Sequence, residues 1–123
     1  MEKIMLVSNI YLDGQDIFDR RSQSGLDLYH LLVDELNKLG PVQEIKKEIS
    51  ISFENRRTFA SVLIRNRSIK LVLRIQHRLA SPRILSINRI DAKSFDHTIV
   101  LDSKNDIDNE LMSWLQDAYH SSE

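Results

Sequence analysis

The hydrophobic positions change period twice along the chain. In SGLDLYHLLVDELNKLG, residues 24–40, Leu28, Tyr29, Leu32, Leu36 and Leu39 recur at helical spacing, which gathers them on one side of an amphipathic helix. Ser24 is its expected N-cap, Asp34 and Glu35 fall on the wet side, and Gly40 and Pro41 stop it. Beyond Pro41 the period drops to two. EISISFE alternates Ile49, Ile51 and Phe53 with Ser50 and Ser52, TFASVLI is more continuously apolar, and SIKLVLRIQ sets Ile69, Leu71, Leu73 and Ile75 against Lys70, Val72 and Arg74, as half-buried strands do. ENRR and RNRS read as the hairpin turns between them. RILSINRI and FDHTIVL continue as strands. The closing SKNDIDNELMSWLQDAYH returns to helical spacing through Ile107, Leu111, Trp114, Leu115 and Ala118. Ser103 with Asp106 three positions on is a carboxylate form of the capping box, and Asp106, Asp108 and Glu110 suit the positive end of a helix dipole.

This order predicts an α+β fold: a mainly antiparallel sheet of about five strands with an N-terminal and a C-terminal helix packed on one face. Leu32, Leu36, Leu111 and Leu115 would then lie against Ile51, Leu71 and Leu73. The 123 residues suit one domain, since a chain of this length buries one modest core and not two. That core spans residues 24–120. Residues 1–23 form an N-terminal extension, in which IMLVSNIYL reads as an extra strand or a short helix and DGQDIFDRRSQS as a polar connector. The early apolar run is broken by Ser8 and Asn9, has no small-residue cleavage pattern, and falls short of the ~18 apolar residues a membrane span needs. A soluble cytoplasmic protein is expected. There is no cysteine, so disulfides, thiolate metal sites and a Cys nucleophile are excluded.

A net charge of −1 conceals a division along the chain. From Arg56 to Lys93 there are ten Lys or Arg and one acid, Asp91, while the remainder holds seven bases and seventeen acids. The division is sharpest in HRLASPRILSINRI, residues 77–90, where His77, Arg78, Arg83 and Arg89 occur with no acid. If Ile69, Leu71, Leu73 and Ile75 are buried, Lys70 and Arg74 stand on the opposite sheet face. Arg78 and Arg83 follow in the next loop, and Arg56 and Arg57 lie in an earlier turn as an outer group. Guanidinium groups near Ser50, Ser52 and Thr98 suit a phosphate or carboxylate held by charge-assisted, bidentate bonds. The expected function is non-enzymatic binding of an anionic small molecule or an acidic protein segment on a basic sheet and loop surface, with no cofactor. The plainer alternative is a solvated wet face whose charges guard the sheet against aggregation.

His97 is the catalytic candidate, because it shares strand parity with Phe95, Ile99 and Leu101 and so points to the apolar side. A second reading is therefore a small enzyme acting on a phosphorylated or carboxylated substrate, with His97 as acid or base. Its plain alternative is a core-edge histidine bonded to a backbone carbonyl, since spacing places no nucleophile, base or oxyanion donor beside it. Asp96 points to the other face. His30 and His120 read as surface residues, and Trp114 and Tyr119 as core. No HxH or HExxH occurs, and DSKNDIDNE lacks the Gly and final Glu of a Ca loop, so no metal is expected. Nucleic-acid binding is not expected either: Phe53 and Phe59 are the sole aromatics between residues 50 and 94, both are expected in the core, and stacking platforms are needed for such ligands.

The series LGPV, RRTFASV, HRLASPRI, DHTIVLDS and DIDNELMSWLQDAY resembles a family of small bacterial domains of unknown function, found alone or at the end of longer proteins described as predicted transport proteins. The likeness covers about residues 25–120, and its most specific part is the Asp-rich closing helix with Trp114, Leu115, Ala118 and Tyr119. Members are similar in placing basic residues before a Pro-Arg pair, here Arg78 before Pro82 and Arg83. They often carry two adjacent histidines where this chain has Asp96 and His97. The resemblance implies the fold and the boundaries, and no established activity.

Overall fold

The computed structural model describes residues 23–123; the readings made for residues 1–22 lie outside them. Helix α1, Gln23–Asn37, buries Leu28, Tyr29, Leu32 and Leu36, the side its period predicts. The chain is already helical at Gln23, so Ser24 lies within the helix and does not cap it. Gly40 follows at φ 144, a conformation that only glycine adopts readily. A Cβ there would also collide with the Tyr119 hydroxyl, which donates to the Pro41 carbonyl at 3.0 Å and ties the end of the first helix to the last.

Six strands follow: β1 Gln43–Lys46, β2 Ile51–Glu54, β3 Thr58–Ile64, β4 Ile69–Ile75, β5 Ser86–Arg89 and β6 Phe95–Leu101. The sequence predicted five. The sixth, β1, is an edge strand whose QEIK carries a single apolar residue and stays largely exposed, so it has no alternation to detect. Ile49, expected on the buried side of EISISFE, instead sits in the turn that Lys47 N–H closes onto the Ser50 carbonyl at 2.8 Å, and is 76% exposed. RILSINRI is likewise strand only over its second half.

All neighbours pair antiparallel in the order β1-β2-β3-β4-β6-β5. The hairpin turns at 54–57 and 65–68 occur as expected. Where β2 meets β3 the register slips beside Phe53 and Glu54. The extra residue of a bulge turns two successive side chains the same way, and both Phe59 and Ala60 are buried.

Strand β6 lies between β4 and β5 and opposes both, so β4 and β5 run parallel and residues 76–85 must cross over β6. They cross on the helix-covered side, where Leu79 N–H reaches His97.

Ile69, Leu71, Leu73 and Ile75 on β4 are completely buried, whereas Lys70, Val72 and Arg74 are half-exposed. Both helices pack on β3 and β4: Tyr29 of α1 meets Phe53 with ring centroids 6.3 Å apart, and Tyr119 of helix α2, Asn109–Ser121, meets Phe59 edge-on at 5.4 Å. Leu32, Leu36, Leu111 and Leu115 join Leu71 and Leu73 in one buried cluster, with Ile51 partly buried against it. The expected capping box of Ser103 and Asp106 is present, but it caps a 3-10 turn, Lys104–Asp106. Helix α2 starts anew after Asp108, whose side chain accepts from Leu111 N–H. No helix among the described residues is long and apolar enough to cross a membrane.

Candidate binding site on the crossover loop and edge strand

The basic middle of the chain meets the acids of the rest. Arg74, on the outer sheet face, grips its cross-strand neighbour Asp96 through Nε to Oδ1 at 2.8 Å and a second nitrogen to Oδ2 at 3.1 Å. This fork to Asp96 raises the guanidinium's pKa against the opposing effect of burial. Arg83 lies on the other side of the sheet. One terminal nitrogen donates to Asp108 at 3.0 Å and Glu110 at 3.1 Å, the other donates to the Asp106 carbonyl at 2.7 Å, and the guanidinium rests 5.5 Å from the centre of the Trp114 ring. Burial works against its charge, but the Asp108 and Glu110 carboxylates outweigh that and raise its pKa. In return Asp108, already stabilised by Leu111 N–H, is held below the usual carboxylate range.

Arg74 and Arg83 therefore do not converge on one ligand; each already holds a carboxylate of the protein. Lys70 is half-exposed on the outer face, opposite Leu63 and Val100. Ser52 is buried, and Arg56 is exposed in the turn before β3. Arg57 donates to the Ser121 carbonyl at 3.2 Å. With Arg74, Gln76, Asp91, Ser94, Ser121 and Ser122 it lines a recess of about 100 Å³, space for roughly three waters. Two arginines here are balanced by Asp91 and by Asp96, and the recess adjoins the negative end of α2, so its charge favours no anion.

His97 is fully buried. Its Nδ1 lies 3.1 Å from the Phe95 carbonyl and its Nε2 accepts from Leu79 N–H at 3.0 Å. Because a carbonyl only accepts, Nδ1 carries the proton and the ring is neutral with both nitrogens engaged. Burial, only partly offset by backbone groups of Leu73 and Phe95, pushes its pKa below the usual histidine value. A ring so engaged has no free nitrogen for substrate. The plain reading of His97 fits the geometry, and the acid-base reading finds no partner in it. Asp96 faces away from the ring, as strand parity requires. His30 and His120 are exposed.

Two arginines of HRLASPRILSINRI remain without a carboxylate among the described residues, and each is placed relative to Phe95, one by its side chain and one by strand register. Arg78 lays its guanidinium 5.4 Å from the centre of the Phe95 ring, and Arg89 is the direct cross-strand partner of Phe95. Arg89 Nε donates only to the backbone carbonyl of Asp91, at 3.1 Å. Both side chains are exposed. Arg89 ends β5, the outermost strand on this side of the sheet, and Arg78 lies against Phe95 of the strand beside it. Ile90 N–H bonds the Ser94 carbonyl at 2.9 Å, so the alternation of an antiparallel ladder turns the backbone of Ile87 and Arg89 outward. The exposed side chains Leu85, at 66%, and Ile90, at 46%, bracket this edge. The opposite edge carries Glu44 and Lys46, charges that discourage strand addition. Sequence reading placed Arg78 in the candidate site but counted Arg89 only among the charges of the basic stretch. The signal was available in the parity that pairs RILSINRI with FDHTIVL, but it required the register.

No curated protein and no solved structure matches the chain. The sequence profile of one family, described as a domain of unknown function (DUF5655), matches residues 15–122. The match includes both helices, all six strands and the crossover loop, and reaches N-terminal of the core expected from residue 24. The chain belongs to the DUF5655 family.

Proposed function

We propose that the domain is a non-enzymatic binding module that takes an extended acidic protein segment along the outer edge of β5. One observation carries the reading: Arg78 of the crossover loop lies over the Phe95 ring, Arg89 is the cross-strand partner of Phe95, neither holds a carboxylate, and the outward backbone of Arg89's strand has no partner among the described residues. A segment added to β5 would gain backbone hydrogen bonds from Ile87 and Arg89, and its carboxylates would meet two guanidinium groups able to bind them as forks. Leu85 and Ile90 offer apolar contact at either end. A small free anion is served less well, because neither Arg74 nor Arg83 is available to it.

The test is a titration with a synthetic decapeptide of alternating Glu and Val, followed by amide chemical shifts. The reading expects the largest changes over residues 77–90, with Ile87 and Arg89 amides newly protected from exchange. Changes centred on Arg65 and Arg67, or on Arg56 and Arg57, would show attraction to unpaired turn charges instead and would overturn it.

A further inference from the structure

We propose that His97 is the positioning residue of this site, holding the crossover loop and therefore Arg78 in place only while its ring is neutral. The proposal rests on the acidic-segment reading and adds a control to it. Residues Phe95–His97 hold the loop twice: His97 Nε2 accepts from Leu79 N–H at 3.0 Å, and the Phe95 ring underlies the guanidinium of Arg78, the residue before Leu79. The Phe95 carbonyl fixes the proton on Nδ1. A second proton must therefore go to Nε2, where it would face the Leu79 N–H head-on. Two donors cannot bond, so the contact that holds the loop is lost.

The ring cannot turn away from this conflict, because it is completely enclosed. Burial opposes a charge on the ring and His77 adds to that opposition, while the backbone of Leu73 and Phe95 and the Asp96 carboxylate offset it only in part. The loop carries His77 and Arg78 past the ring. Strand β4 offers the backbone of Leu73 opposite the ring, and β5 offers Ile87. On its own strand Asp96 points to the other face and is held by Arg74. The acids of the α2 N-terminus, Asp108 and Glu110, are taken by Arg83. Burial thus keeps the ring neutral through the neutral range, and acid releases the loop.

The experiment follows two readouts between about pH 7.5 and 5, where peptide glutamates stay charged: the exchange protection factor of the Leu79 amide, and the affinity for the Glu-Val decapeptide. Three proteins are compared: wild type, His97→Gln, which keeps an acceptor near the position of Nε2 but cannot titrate, and His97→Leu, which has no acceptor. In wild type, acid should lower Leu79 protection and weaken binding together, by about fivefold or more. His97→Gln should hold both nearly constant, and His97→Leu should show low protection and weak binding at every pH. If wild-type Leu79 protection is flat across the range, the neutral-ring hold is wrong. If protection falls in wild type and not in His97→Gln while the affinities of the two stay equal, the hold is real and the assignment of binding to Arg78 fails instead. Should His97→Leu not fold, the comparison of wild type with His97→Gln decides the matter alone.

Discussion

Replacing Arg83 by alanine tests whether the loop's positive charge is spent inside the protein. The guanidinium's side chain is only 24% exposed, but its carboxylate partners Asp108 and Glu110 are 46% and 49% exposed. Solvent therefore screens the two ion pairs to ~0.2 to 1 kcal/mol each. The bond to the Asp106 carbonyl, at 2.7 Å from a charged donor, adds ~1.5 kcal/mol. The contact over Trp114 adds ~0.5 to 1 kcal/mol. Because these groups share one side chain the contributions do not simply add, and a loss of about 2 to 3 kcal/mol is expected. For a domain of this size that lowers Tm by roughly 6 to 12 °C. Urea unfolding followed by the fluorescence of Trp114, the one tryptophan of the chain, reads both the stability and the ring's surroundings. Arg83→Lys should recover less than half of the loss, since a compact ammonium has neither the planar fork that reaches these acceptors from two nitrogens nor the flat face that rests on Trp114. A loss below ~0.5 kcal/mol with unchanged emission would mean that Arg83 is a free surface charge, and the internal pairing would be refuted.

Leu111→Ala, at a completely buried position of α2, should cost ~2 to 5 kcal/mol by leaving a cavity; a near-neutral result in the same urea assay would place α2 off the sheet. Acid unfolding should come in two stages. His97 has a folded pKa below its unfolded value of about 6.5, so the unfolded chain takes up more protons and stability falls as pH drops from about 6.5 through the folded value. Asp108, depressed from its ordinary value, contributes stability that is present above about pH 4 and lost below it. In His97→Gln the first stage should vanish and the second persist, which a series of urea midpoints against pH will show.

The parts of the fold that sequence made legible are those with a strong period. Strand β4, with four apolar residues at alternate positions, and both helices have buried faces that could be read directly, and the parity of β6 correctly turned His97 inward and Asp96 outward. Strand β1 was hidden because an edge strand needs no apolar face, and Ile49 misled because a turn residue happened to keep the strand's alternation. The site was legible only in part for a related reason. Composition showed a basic middle and acidic ends, but which charges neutralise one another depends on the crossover that lays residues 76–85 beside α2. That crossover follows from strand order, which no local pattern encodes. Arg83 and Asp108 are 25 residues apart in sequence, and their meeting removes Arg83 from the expected anion site. Arg89, read as part of the basic stretch but not of the candidate site, gains its importance by pairing across from Phe95.

The central claim is that binding belongs to Arg78 and Arg89 and not to the basic segment at large, and calorimetric titration of the Glu-Val decapeptide at low salt measures this most directly. Wild type is compared with the Arg78→Ala, Arg89→Ala double variant and with an Arg56→Ala, Arg57→Ala double variant that removes the same charge elsewhere. The account predicts a loss of affinity of about tenfold or more for the first and of less than about twofold for the second, because only the first removes groups that can fork onto carboxylates beside a strand edge that no described residue covers. Equal losses in the two variants would show attraction to net charge alone and would contradict it.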